Sequence, residues 1–201
     1  MGEFALPAND DLIASAQVCL NNASATLDDA RLLMDGERFN RAFALAILAQ
    51  EECAKCFMLC TCTLQPRWDV AIWKALRQHE RKQALVEVME RYVNWFAQHN
   101  AFALRLNESA LIQAPVNYTP QPDVFAAWRA EVRRSVIDKG NVDRAKQRAF
   151  YVSIGKNGKV SSIPRCTREQ AAAQLQKATT FQQVASNQLK HVARCTAGVG
   201  A

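Results

Sequence analysis

Leu12, Ala16, Cys19, Ala23, Leu27, Ala30 and Met34 recur at intervals of three and four residues, the period of one face of an α-helix. Asn9, Asp10 and Asp11 offer N-caps ahead of this stripe and Asp35-Gly36 offers a stop, so the pattern predicts a first helix of about 25 residues. A second apolar run extends from about Glu37 to Leu64 and is closed by Pro66. A third begins near Trp68, carries Ile72, Leu76, Leu85, Val88, Met89, Tyr92, Val93 and Phe96, and is expected to continue to Leu111. Short connections between the three predict antiparallel neighbours in a helical bundle.

The period is lost in "QAPVNYTPQPD", residues 113–123, whose three prolines predict a surface linker. A further helix is expected over 124–137. The strand formers Phe150, Tyr151, Val152 and Ile154, followed by the turn residues Gly155 to Gly158, predict a small β-hairpin within 149–163. Thr167 and Gln170 stand three apart, as in a capping box, and open a last helix to about Arg194. The expected fold is therefore mainly α: one antiparallel helical domain over 9–196, with tails at 1–8 and 197–201.

Composition agrees with a helical reading: 49% of the 201 residues are hydrophobic, while glycine (7) and proline (6) are sparse. Lysine and arginine outnumber the acids by 25 to 19, a net charge of +6. The excess falls within residues 129–194, which is compatible with an acidic partner such as RNA. The start, "MGEFALPANDDLIASAQ", lacks a basic segment before an apolar core, so a cytoplasmic protein is expected. The apolar run 42–64 is long enough to span a bilayer, but three charges at its centre oppose membrane insertion.

Those charges are Glu51, Glu52 and Lys55, in "ALAILAQEECAKCFMLCTC". Either carboxylate can reach the ammonium at three- or four-residue spacing. Because the flanks are apolar nearly all the way round, part of this island should be buried, where a charge needs a partner. His79 and Lys82 share one face of the next helix. Counted from Pro66 they fall level with Glu52 and Lys55, which would make His79 a tunable acid or base. Seven cysteines suggest reduced thiols. Cys53, Cys56 and Cys60 share a helical face whereas Cys62 points away, so no tetrahedral metal site is expected.

The segments "GERFNRAFALAILAQEECAK", "HERK" and "AKQRAFYVSIGKNGKVSSIPRCTREQAAAQL" together resemble the AbiV-type abortive-infection family of the HEPN superfamily. The resemblance covers about residues 25–185. It implies an all-helical bundle acting in bacterial defence against phage as a homodimer, with no cofactor, and places the family's positions on Glu51, Glu52, Lys55, His79, Lys82, Lys146 and Tyr151. Many HEPN proteins are metal-independent ribonucleases in which an Arg is followed, after four to six residues, by a His. Here Arg77 and His79 are closer than that, while Arg91 and His99 are farther apart. On one helix the latter pair diverges by about 80° and about 12 Å along the axis.

Two functions follow as expectations. In the first, a ribose 2′-OH attacks the adjacent phosphodiester with His79 as base. Lys82 or an Arg stabilises the phosphorane, Glu52 orients His79 and Lys55 holds Glu52, while Glu51, Arg77, Arg91, His99, Lys146, Arg148 and Tyr151 bind RNA or support the site. In the second, the same dimer acts without catalysis, binding the ribosome or a phage-encoded trigger protein.

Overall fold

The structure is a computed structural model that describes residues 5–99, 146 and 165–197. The expected end of the third helix at 100–111, the linker, the helix over 124–137, the hairpin over 149–163, and Arg148 and Tyr151 lie outside the described residues. Those described form five helices and no strand: α1 (Asn9–Asp35), α2 (Phe39–Leu64), α3 (Val70–Arg77), α4 (His79–His99) and α5 (Arg168–Ala197).

α2 is the central element. Four consecutive residues, Phe57, Met58, Leu59 and Cys60, are all buried, so this stretch is enclosed on every side. Each large apolar side chain removed from water there contributes about 1.5–3 kcal/mol. Alanines 42, 44, 46, 49 and 54 let the neighbouring helices approach closely. Leu12, Ala16, Leu20 and Ala23 of α1 join a cluster with Cys53 to Cys62, while Leu27 packs with Ala46 and Ala49, so α1 runs antiparallel to α2. α5 runs parallel to α2, because Gln50 donates to the Gln174 carbonyl and Gln188 to Thr61. α4 lies against α2 through Phe57 and Tyr92, whose ring centroids are 4.9 Å apart, and reaches α5 through the Lys177–Glu90 ion pair at 2.7 Å.

The ends of the helices test the expectations from sequence. The capping box of α5 forms as expected: Thr167 N–H donates to Gln170 Oε1 at 3.0 Å and Gln170 N–H to Thr167 Oγ1 at 3.3 Å. At the start of α1 no side chain caps the helix. Ala8 occupies the cap position, and Asp10 and Asp11 sit in the first turn, where the helix dipole favours them. At its end the Arg38 amide bonds the Leu33 carbonyl and the Glu37 amide bonds that of Met34, with Glu37 in the left-handed region at φ 58°.

The third expected helix is not continuous. It breaks at Gln78, whose backbone is extended (φ −90°, ψ 124°), into α3 and α4. The seven residues from Arg77 to Gln83 are all polar. The apolar residues resume only beyond the gap, and Ile72 and Ala75 on one side and Leu85, Val88 and Met89 on the other join the same buried cluster from two helices. α3 is started by Asp69, whose carboxylate accepts from the amides of Ala71 and Ile72.

Candidate functional site

The charges on α2 divide by depth. Glu51 is 1% exposed and accepts from Lys146 Nζ at 2.7 Å, the ammonium being buried with it. Glu52, one residue on and 100° round the helix, pairs with Lys55 at 2.5 Å, both side chains 16% exposed. Burial of such pairs is tolerated only where each charge is answered, as both carboxylates are here.

Lys82 stands beside these two pairs. It lies in the first turn of α4 and is 8% exposed, and its ammonium makes no hydrogen bond or ion pair among the described residues. Its pKa is lowered from the ordinary 10.5, first by burial and then by Lys55, with Lys146 acting in the same direction and Glu51 and Glu52 opposing. Among the described residues, three ammoniums (Lys55, Lys82 and Lys146) thus face two carboxylates, a surplus of one positive charge. Cys19 of α1 completes the surroundings: it feels Lys55, Glu52 and Lys82, yet burial raises its thiol to about 11.

The amides of the break bring Lys82 to this place. The Gln78 carbonyl accepts from both the Arg81 and the Lys82 N–H, each at 3.0 Å, closing the first turn of α4. The first amides of that helix have no intrahelical acceptor, and its dipole presents a partial positive charge at the same end.

Of the residues expected in the site, Glu51, Glu52, Lys55, Lys82 and Lys146 are brought together. His79 is the first residue of α4, three before Lys82. Arg77 ends α3 on the far side of the break, with its guanidinium over the Trp73 ring at 4.8 Å from the centroid. Arg91 is exposed on α4 and His99 is its last residue, with an unbroken helix between them. The pairing of Glu51 with Lys146, 95 residues away, was not readable from local spacing. Cys19 was readable only as a member of the α1 stripe.

The cysteines have a structural role. All seven are free thiols. Burial raises Cys53 and Cys62 to about 12, and a hydrogen bond with Cys56 together with burial raises Cys60 further, so these thiols remain protonated at neutral pH. Among the described residues no three His, Cys, Asp or Glu side chains stand where they could hold a metal ion, and no helix is long and apolar enough to cross a membrane.

Neither a curated protein nor a solved structure matches the chain. A model of the AbiV family of HEPN domains matches residues 11–183, a span that includes α1 to α4, Lys146 and the first half of α5. The chain, with its central charged helix and the lysine cluster built on it, belongs to the AbiV family.

Proposed function

We propose that the protein is a bacterial abortive-infection effector that acts on RNA at the cluster around Lys82, as a homodimer in the cytoplasm. The observation that carries this reading is Lys82 itself. Its stem is withdrawn from water beside Lys55, and its ammonium, whose charged form burial disfavours, gains a charge-assisted contact when a phosphate enters. In the proposed reaction His79, on the same face of α4 at i−3, takes the proton of a ribose 2′-OH as the oxygen attacks the neighbouring phosphorus. Lys82 answers the charge that develops on the phosphorane oxygens. Glu52 and Lys55 form the rim, and the Glu51–Lys146 pair holds the floor.

A second reading has its own support. Glu51 and Glu52 are already engaged in ion pairs, as they would be in a network that only holds a bundle in register, and a non-catalytic dimer would then arrest the host by occupying the ribosome or a phage protein. Incubating the purified chain with total RNA in EDTA, with and without phage lysate, separates the two. Catalysis is expected to give fragments that are lost in His79→Ala. RNA that stays intact under every condition, while expression still arrests growth, would establish binding instead.

A further inference from the structure

Resting on the proposed RNA reading, we infer that Arg77, held over the Trp73 ring at the end of α3, is a stacking platform for an unpaired base, so that the site takes single-stranded rather than duplex nucleic acid. The first observation is how this cation is held. Its guanidinium lies 4.8 Å from the Trp73 ring centroid, the residue is exposed, and no carboxylate pairs with it among the described residues. An arginine that rests one face on an aromatic ring keeps its other face and its N–H donors for a ligand, and unpaired bases stack on guanidinium planes as they do on aromatic rings.

The second observation is place. Ile72 and Ala75 are the buried residues of α3. At about 100° per residue Arg77 falls about 140° round the axis from Ile72. It therefore centres the outward face, between Trp73 and Lys74 and below Val70, which is 43% exposed. The third is charge. From Arg67 to Lys82 the chain carries Arg67, Lys74, Arg77, Arg81 and Lys82 against Asp69 and Glu80, and Asp69 is engaged in capping α3. A basic face with an aromatic ring set in it suits a single strand, whose backbone is held by charge and whose bases are held by stacking. A duplex keeps its bases paired and stacked on one another, and offers this platform none.

The break at Gln78 joins the platform to the proposed reaction. Arg77 ends α3 and His79 opens α4 with one extended residue between them, so their Cα atoms are at most about 7 Å apart. A base stacked on Arg77 brings its neighbouring phosphodiester to the start of α4, where His79 and Lys82 stand.

The full chain should be titrated at constant ionic strength, by fluorescence anisotropy, with three labelled all-deoxy probes: a single strand, the same sequence as a duplex, and the strand with abasic sites in place of its central bases. All three lack the 2′-OH and cannot be cleaved by the proposed chemistry. Wild type is compared with Arg77→Lys, which keeps the charge and loses the plane, with Trp73→Leu, which releases the guanidinium, and with the exposed α5 variant Arg194→Lys as control. Wild type is expected to bind the single strand about tenfold or more tighter than the duplex or the abasic strand. Arg77→Lys is expected to lose about fivefold or more on the single strand and nothing on the abasic strand, with Trp73→Leu following it and Arg194→Lys behaving as wild type. Should Trp73→Leu fail to fold, the exposed Arg77→Lys carries the test. A single strand bound no more tightly than the other two probes, Arg77→Lys that binds it as wild type does, or no binding of any probe by wild type would overturn the inference. Total RNA left intact by a protein that still selects the single strand through Arg77 would defeat the catalytic reading and leave this one standing. RNA fragments produced undiminished by Arg77→Lys would do the reverse.

Discussion

Glu51 and Glu52 are neighbours in sequence with different energetics. The former is 1% exposed and meets Lys146 in the interior, while the latter is 16% exposed beside Lys55. Removing one member of a fully buried pair leaves its partner uncompensated and costs about 3–5 kcal/mol, and the cost falls as water reaches the pair. Glu51→Ala is therefore expected to lower the denaturation midpoint far more than Glu52→Ala, and equal losses in chemical denaturation would contradict the division. Lys82 has the opposite sign. Its pKa is lowered in the folded state, so between that value and 10.5 the unfolded chain holds more protons and stability rises with pH. Lys82→Met removes a charge that burial disfavours and is expected to be neutral or stabilising. That advantage should be full below the lowered pKa and fade as the pH approaches 10.5; a gap between the two melting curves that does not change with pH would be inconsistent with it.

At the scale of elements, the turn between α1 and α2 carries a strain that the sequence disguises. Gly36 is the evident turn residue, yet it sits at φ −79°, where a Cβ would be 3.5 Å from the Leu32 carbonyl oxygen, an ordinary contact. The left-handed position falls to Glu37. Gly36→Ala is expected to be neutral or stabilising. Glu37→Gly is expected to gain about 0.5 kcal/mol, the difference between a left-handed penalty of about 1–2 kcal/mol and the backbone entropy of glycine, about 0.5–1 kcal/mol. The exposed Arg168–Glu37 pair lost with it contributes little. Thermal melts of the two variants check this, and a destabilised Gly36→Ala beside an unchanged Glu37→Gly would refute it. The same scale shows what periodicity conveys. The stripe of α1 and the Thr167–Gln170 box of α5 were legible because each is set by local spacing. The break at Gln78 was missed because Ile72 to Phe96 keeps a helical period on both sides of a polar gap, and a pattern of faces does not report whether one axis joins them.

For the whole molecule, the candidate site was legible in its α2 half and in Lys82, since charges set in an apolar helix announce a buried cluster and the next helix must return across it. The floor was not. Lys146 reaches Glu51 from 95 residues away, and nothing in the intervening chain fixes that distance; only the family resemblance singled it out. The assembled arrangement sets Lys82, whose charged form burial disfavours, beside the Glu51–Lys146 and Glu52–Lys55 pairs, which is the pattern of a protein that gives up stability for function. The most direct measurement is phage protection by Lys82→Met, scored only after its helical content and melting temperature are recorded. Loss of protection in a protein at least as stable as wild type is the expected result. Full protection by that folded variant would contradict the assignment of function to the Lys82 cluster.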